Sequence, residues 1–387
     1  MKARLINEGT YGCIFNPGFT CNYNSSIGSS KRKETIDTKF ATKVHSNVNP
    51  SIVRNEILIS AKIRDHIPNF DTFFSPVLET CKVHLAKVDA DKCKIVKDKK
   101  PTQFISTKMK YVEGLTLYKH VEQMSNRVKV QTKRYAEVVT LYKKICLGLA
   151  ELRGIHVVHF DLKDNNIIVT KSGSPIIIDF GISIDMDKIL ETMDKTLAPA
   201  TSSALPVMNS SALVPETSSA MPVASSAMPL VTSSFPVTSS SKSESSKQHE
   251  LYKMLDTSFY TYSTEYTPWC VDIVLISFII QKQKPKEVIT SSQIMNIFDE
   301  VMQKNKFSSK PYLKDAFPIY RERFQETIAD KYNDMENVLL LHHLLKNYGK
   351  WDLYSATVLF MDMLEKIRQA PSAAHVEEIK RGLGLIA

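Results

Sequence analysis

The N-terminal third of the chain places short apolar runs between polar ones, the pattern of strands broken by loops. "ARLINE" (3–8) and "GCIF" (12–15) flank a glycine-containing turn, and "TQFISTKMKYVEG" (102–114) predicts a later strand. "PSIVRNEILISAKIRDHI" (50–67) differs because its apolar residues recur at helical spacing. We therefore predict a β-rich unit over residues 1–110 that contains one helix.

From about residue 115 the apolar spacing becomes helical. "KRYAEVVTLYKKICLGLAELRGI" (133–155) repeats apolar positions every three or four residues, and Gly154 is a suitable helix end. A β-rich unit followed by a helical unit predicts an α+β, two-lobed fold with a cleft near the join. Helical patterning after residue 250 is found in segments 271–282, 292–303, 320–348, 351–369 and 373–386.

Residues 196–248 repeat a Ser-Ser…Pro unit roughly every seven residues. A proline in each unit prevents a regular helix and weakens any strand, so we predict a disordered insertion in the helical lobe. Its hydroxyls are possible phosphorylation sites, which the sequence leaves open. The predicted divisions are 1–110, 111–195, 196–248 and 249–387.

Composition is ordinary for a globular protein, with 43% hydrophobic and 24% charged residues and a formal net charge of +9. A solvated basic surface and a face for an acidic partner both fit that charge, and we expect no nucleic-acid or membrane partner. Six cysteines without a CxxC pair argue against zinc or disulfide frameworks and favour a reducing compartment. The N-terminus has no apolar signal stretch, and the run 271–280 is too short to cross a bilayer, so we expect a soluble intracellular protein.

The segment "HFDLKDNNIIVTKSGSPIIIDFG" (159–181) sets Asp161, Lys163, Asn166 and Asp179 at the ends of a short apolar hairpin. Buried polar groups need partners, which here are other side chains, water or a metal–phosphate ligand. Phosphoryl transfer requires oxygen ligands for a divalent metal, a cation for the transferring group and a carboxylate beside the acceptor hydroxyl. This segment supplies each of these groups.

These motifs resemble those of a eukaryotic-type protein kinase. "HFDLKDNN" resembles the family's catalytic loop, and "DFG" (179–181) resembles its metal-binding motif. "INEGTYGCIF" (6–15) is similar to the glycine-rich loop, and "FATKV" (40–44) to the strand that carries the nucleotide-binding lysine. The resemblance covers residues 5–195 well and 250–387 loosely.

The resemblance implies a role for each matching residue. Asp161 would orient and deprotonate the acceptor hydroxyl, Lys163 would stabilise the transferring phosphoryl group, and Asn166 with Asp179 would bind Mg²⁺. Lys43, held by Glu56, would contact the phosphates of ATP. Met109 would lie behind the adenine, whose edge would meet the backbone of Lys110 and Val112. The nucleotide-binding residues implied are Asn7, Gly9, Gly12, Ile14, Lys43, Glu56, Met109, Lys110 and Val112.

Several positions depart from the family pattern. Asn7 replaces the first loop glycine, and Phe160 stands where many members carry an arginine that pairs with a phosphorylated activation loop. "YTPWCVD" (266–272) is the nearest equivalent of A-P-E and lacks its glutamate. Asp272 and Asp352 compete to anchor the catalytic loop. We favour Asp352, with its carboxylate accepting backbone N–H bonds near His159 and with 281–345 as an inserted helical region.

The resemblance implies an enzyme that transfers the γ-phosphoryl group of ATP, with Mg²⁺, to serine or threonine hydroxyls of protein substrates. Lys163 favours that specificity over tyrosine. The alternatives are a pseudokinase that binds without catalysis and a small-molecule kinase of related fold. The insertion-bearing helical lobe is similar to divergent kinases of large DNA viruses, which implies the host cytoplasm or a virion. The sequence leaves the substrate, any regulatory partner and the oligomeric state open.

Overall fold

The computed structural model describes residues 4–9, 12–19, 38–45, 50–83, 91–94, 104–127, 129–197, 244–283 and 287–385. Most of the predicted insertion 196–248 lies outside these ranges, and with it the question of its phosphorylation. The two-lobed α+β prediction is confirmed, because a sheet forms the N-terminal lobe and helices form most of the rest. The four predicted divisions of the chain stay predictions.

Among the residues that the structure describes, the N-terminal lobe has a five-stranded antiparallel sheet with helix α1 against it. The strand order is β1-β2-β3-β5-β4, so the hairpin of the first two strands lies at one edge. Helix α1 packs on the sheet beside β4, and the apolar residues Val53, Ile59 and Ile63 on its inner face are buried. The bounds are β1 Arg4–Gly9, β2 Gly12–Asn16, β3 Phe40–His45, α1 Pro50–His66, β4 Val77–Val83 and β5 Phe104–Lys110.

The C-terminal lobe begins with a small sheet and two helices that support the predicted hairpin. Its long helix α3 ends at Gly154, as predicted, and the sheet has the strand order β6-β8-β9. Ile177 of β9 exchanges backbone hydrogen bonds with Phe73 and Ser75, which ties the two lobes together. The bounds are β6 Gly114–Thr116, α2 Leu117–Arg127, α3 Gln131–Gly154, β7 Val157–Val158, β8 Ile167–Thr170, β9 Pro175–Ile177 and β10 Ile184–Asp185.

The remainder of the lobe is helical, with one short two-stranded pairing. Helices α4 and α5, which flank residues 198–243, pack against each other. Helix α10 is almost wholly buried and packs along α3, where Tyr142 and Phe360 stack with ring centroids 4.4 Å apart. The bounds are α4 Met186–Leu197, α5 Glu244–Ser258, α6 Val271–Lys282, β11 Val288–Ile289, α7 Ser291–Asn305, α8 Ala316–Phe324, β12 Met335–Glu336, α9 Asn337–Lys346, α10 Trp351–Lys366 and α11 Ala373–Gly382.

Two sequence-based expectations are corrected. The segment 320–348 is not one continuous helical stretch, because β12 interrupts it and pairs with β11. The argument against disulfides was wrong, since Cys13 of β2 is bonded to Cys93. The two cysteines lie 80 residues apart in sequence, a separation that no local motif reveals. The reducing compartment stays a prediction, and this bond weighs against it.

Among the helices of the described residues, none is both long and apolar enough to cross a bilayer.

Candidate active site

A buried lysine joins the two lobes. Lys43 of β3 is 6% exposed, and its Nζ lies 3.2 Å from Glu56 Oε2 on α1 and 2.9 Å from Asp179 Oδ1 after β9. The strand register places Lys43 opposite Ile14, and α1 turns Glu56 toward the sheet. A cation shared by two carboxylates is a charge-assisted arrangement, and it fixes both the helix and the loop after β9.

The electrostatics of this trio follow from burial. Burial disfavours the Lys43 ammonium, yet Glu56 and Asp179 together hold the pKa of Lys43 above its ordinary value. Burial raises the pKa of Glu56 despite the attraction of Lys43. Burial acts in the same direction on Asp179, but the charge and hydrogen bond of Lys43 outweigh it and lower that pKa. Lys43 and Asp179 are thus both charged at neutral pH.

Helix α1 is tied to the segment after Asp179 at two further points. Asn55 Nδ2 donates to the carbonyl oxygens of Gly181 (3.0 Å) and Ser183 (2.8 Å). Lys62 Nζ lies 2.7 Å from Asp185 Oδ1. Since Glu56 lies on the same helix, these contacts hold its carboxylate toward Lys43.

The predicted catalytic loop forms a compact polar cluster. Lys163 Nζ lies 3.0 and 2.9 Å from the two carboxylate oxygens of Asp161. Asn166 Nδ2 donates to the Asp161 backbone oxygen at 2.8 Å and to its Oδ2 at 2.9 Å. The Asn166 carbonyl oxygen accepts from Ile178 N at 2.9 Å, which brings the residue beside the loop that carries Asp179. The four predicted residues therefore lie in neighbouring parts of the structure.

Asp352 of α10 anchors this loop, and that prediction is confirmed. Its Oδ2 accepts from His159 N at 2.6 Å, and its Oδ1 accepts from Phe160 N at 3.1 Å. Phe160 lies between these bonds with φ of 68°, a left-handed conformation that a non-glycine residue adopts only when its surroundings hold it. Asp272, the rejected candidate, lies on α6 instead.

The predicted metal ligands fit a hard divalent cation. Asn166 makes both of its side-chain bonds through Nδ2, which leaves its Oδ1 oxygen for another partner. Asp179 keeps 39% of its side chain exposed although Lys43 holds one of its oxygens. An amide oxygen and a carboxylate at one place are the donors that Mg²⁺ prefers in nucleotide sites.

The glycine-rich hairpin connects β1 and β2, with Gly9 paired to Gly12. A Cβ at Gly12 would lie 2.5 Å from the Val44 carbonyl oxygen, so close packing on β3 requires this glycine. Among the described residues, the nearest atom to a Cβ at Gly9 would be the Gly12 carbonyl oxygen at 4.0 Å. Asn7 is exposed and its Oδ1 accepts from Glu8 N at 3.0 Å, while Ile14 is half-buried on β2.

The predicted adenine-contacting residues lie at the end of β5 and just after it. Met109 is half-buried and pairs with Ala41 and Val77 on the neighbouring strands. The Lys110 carbonyl oxygen accepts from Ser75 Oγ at 2.8 Å and retains a second lone pair. Val112 follows in an irregular stretch between β5 and β6.

Sequence reasoning missed an aromatic cluster around Phe160. The Phe160 ring lies 4.9 Å from Trp269 and 5.5 Å from Phe259, measured between centroids, and Phe259 packs edge-on to Trp351. Trp269 Nε1 donates to the Phe160 carbonyl oxygen at 2.9 Å. The apolar side chain at position 160 was the available signal, because it must pack against something when it replaces an arginine.

Sequence reasoning also missed Tyr266, whose hydroxyl donates a hydrogen bond to Asp161 Oδ1. Its segment, 266–272, resembles A-P-E only through Pro268. Nothing in that pattern indicates which side chain reaches the catalytic loop.

Comparison with known proteins agrees with this geometry. Residues 30–203 match the family described as the protein kinase domain, a stretch that covers under half of the chain. No protein in a search of curated sequences matches. The matched residues contain Lys43, Glu56, the catalytic loop and Asp179, and the helices that follow complete the second lobe. The chain is a protein-kinase-like protein, with a β-sheet N-terminal region and a helical C-terminal region.

Proposed function

We propose that this protein is an ATP-dependent serine/threonine protein kinase that uses Mg²⁺. The observation that carries the proposal is that Lys43 with its two carboxylates adjoins Asp161 with Lys163 and Asn166, because Ile178, next to Asp179, donates its backbone N–H to the Asn166 carbonyl oxygen. Separate buried polar pairs would not require these two clusters to be adjacent. Phosphoryl transfer requires them together.

Each group has a role that its position supports. Asp161 holds and deprotonates the acceptor hydroxyl, while Lys163 places positive charge beside the moving phosphoryl group. Lys43 binds the phosphates of ATP, and Asn166 with Asp179 would hold Mg²⁺. The metal, when bound, neutralises charge on the phosphates. Asp352 keeps the Asp161 backbone segment in place through its two N–H contacts.

Protein substrates are favoured by an open groove beside the catalytic loop. The groove has a volume of about 680 Å³ and runs between α2, α10 and the segment that holds Tyr266. Lys163 lines it, so a chain lying in the groove would pass the catalytic cluster. Lys163 also supports serine and threonine as acceptors, as the family resemblance implies.

The pseudokinase alternative keeps one observation in its favour, because the Tyr266 hydroxyl already occupies an oxygen of Asp161. The proposed lineage with kinases of large DNA viruses rests on the inserted helices α7–α9. The Cys13–Cys93 bond fits a virion better than a reducing cytoplasm.

The test is Mg²⁺-dependent transfer of labelled phosphate from ATP to a generic basic protein. We expect Asp161→Asn to lower turnover by about 10²–10⁴-fold with nucleotide binding retained, since its role is in the transition state. Asp179→Asn should abolish transfer, and Asp65→Asn, an exposed carboxylate of α1, should change nothing. Equal transfer by the wild type and Asp179→Asn would contradict the proposed kinase activity. Preferred transfer to an aminoglycoside or choline would indicate a small-molecule kinase.

A further inference from the structure

Tyr266 places a hydroxyl on the carboxylate proposed as the catalytic base. It lies in the segment between α5 and α6, is half-buried, and donates to Asp161 Oδ1. Lys163 contacts the same oxygen at 3.0 Å. The Tyr266 oxygen thus lies beside both the proposed proton acceptor and the proposed phosphoryl-stabilising cation.

The segment that presents Tyr266 is fixed on several sides. Thr264 Oγ1 donates to Glu300 on the inserted helix α7, and Ser355 Oγ of α10 donates to the Pro268 carbonyl oxygen at 2.6 Å. The Tyr266 ring lies edge-on to Trp269, with centroids 5.0 Å apart. Because Trp269 is buried against Phe160, the backbone on either side of Tyr266 is held to the lobe.

The direction of this hydrogen bond is the one that an acceptor hydroxyl makes before phosphoryl transfer. A hydroxyl must donate to the base and present its oxygen to the incoming phosphorus. A hydroxyl held in that geometry within the same chain has a large entropic advantage over one that arrives from solution.

We propose that Tyr266 is phosphorylated by its own active site, in cis. The inference rests on the proposed function, which supplies ATP. The Tyr266 oxygen forms a bond to the γ-phosphorus, the bond from that phosphorus to the ADP oxygen breaks, and ADP leaves with the electron pair. The phenolic proton passes to Asp161 and then to solvent. Tyr266 is the acceptor because the fold holds its hydroxyl at Asp161. Its phosphorylation does not require that the groove prefer tyrosine in protein substrates.

Modification would change access to the site. A phosphate with close to two negative charges beside the Asp161 carboxylate is repelled, so the side chain leaves that oxygen. Asp161 then becomes available to a protein acceptor lying in the neighbouring groove, which Tyr266 itself lines. Transfer to an external protein should therefore begin after a lag in protein that starts unphosphorylated.

The test uses the full chain, treated first with a tyrosine phosphatase and then with Mg²⁺ and ATP. Mass spectrometry with fragmentation locates phosphate within the peptide that holds Tyr260, Tyr262 and Tyr266. Tyr262→Phe is the matched control. Tyr262 lies four residues before Tyr266 in the sequence, but its ring packs against Phe278. Transfer to a generic basic protein is followed in the same samples.

We expect phosphate on Tyr266 in the wild type and in Tyr262→Phe, with a rate constant that does not change on dilution. Asp179→Asn should carry none, even when active wild type is added. Tyr266→Phe should lack the modification and phosphorylate the external protein without a lag.

Transfer to the external protein with Tyr266 unmodified overturns this inference and leaves the proposed function standing. If Tyr266 of the wild type stays unphosphorylated and Tyr266→Phe has a lower kcat, the hydroxyl has only a positioning role. That outcome also overturns the inference. Absence of transfer to any acceptor overturns the proposed function together with the inference.

Discussion

The two lobes are stabilised by different means. Among the described residues, the cluster inside the N-terminal sheet is small, whereas the larger core runs through nearly every helix of the C-terminal lobe and includes the inner face of α1. A small core buries too little apolar surface to offset chain entropy unaided, and a cross-link compensates for that deficit. The N-terminal cluster consists of Cys13, Phe15, Val44, Val83, Cys93 and Phe104.

The two lobes also satisfy their buried charged groups with different kinds of partner. In the N-terminal lobe, Lys43 is satisfied by Glu56 and Asp179, side chains that can exchange partners when phosphates enter. In the C-terminal lobe, Asp352 is satisfied by two backbone N–H groups. The difference indicates that the Lys43 cluster can rearrange around a ligand, while the loop that carries the proposed base Asp161 is held on a fixed support.

Removal of the Cys13–Cys93 disulfide should have the largest effect on stability. Opening a cross-link between residues 80 apart releases about 4–5 kcal/mol of chain entropy to the unfolded state. We expect Cys13→Ser to increase hydrogen exchange in β2 and β3 strongly and in α10 little. A reducing agent should increase exchange in the same strands of the wild type, to at least the same extent. Equal loss of protection in both lobes would show that they unfold as one unit, and the contrast between them would fail.

Truncation of a core aromatic residue tests the other lobe. Phe360 is fully buried and stacks on Tyr142, so Phe360→Ala should lower the free energy of unfolding by about 3–5 kcal/mol. Ile319 is 65% exposed on α8, and Ile319→Ala is the matched control with a change under about 0.5 kcal/mol. Chemical denaturation measures both. A loss below about 1 kcal/mol for Phe360→Ala would contradict the assignment of the main core to α3 and α10.

The sequence predicted the parts of this molecule that depend on local pattern. The strand of Lys43, the helix of Glu56 and the catalytic loop each carry a spacing or motif, and Asp352 was favoured because its own surroundings resemble a family pattern. The disulfide and the Tyr266 contact depend on residues far apart in the chain. Phe160 shows the limit best, because its departure from arginine was visible whereas the aromatic residues that enclose it were not.

His45 in the N-terminal lobe and Asp272 in the C-terminal lobe should also make stability depend on pH, with opposite signs. Burial and the charge of Lys43 lower the pKa of His45 in the N-terminal lobe to about 3. Because the ordinary pKa of histidine is about 6.5, the unfolded state binds more protons than the folded state at lower pH. This residue therefore lowers the free energy of unfolding by about 1.4 kcal/mol as pH falls from 7.5 to 5.5. Burial raises the pKa of Asp272 in α6 to about 6, so its contribution to stability falls by under about 1 kcal/mol as pH rises from 5.5 to 7.5.

The measurement is the free energy of unfolding of His45→Asn and Asp272→Asn at these two pH values. Relative to the wild type, His45→Asn should gain stability at pH 5.5, and Asp272→Asn should gain at pH 7.5. Slopes of the same sign in both variants would contradict the assigned protonation states.

The smallest effect concerns helix α7, which begins with a capping box. Thr290 Oγ1 accepts from Gln293 N at 3.2 Å, and Gln293 Oε1 accepts from Thr290 N at 2.9 Å. Thr290→Ala removes the hydroxyl half of this box and should cost about 1 kcal/mol, while Thr290→Ser keeps an oxygen there and should cost less. Because α7 also contacts the segment of Tyr266 through Glu300, a frayed α7 should increase hydrogen exchange in that segment as well. Unchanged exchange there, with α7 itself loosened, would show that α7 does not support the segment of Tyr266 and that the rest of the C-terminal lobe holds it.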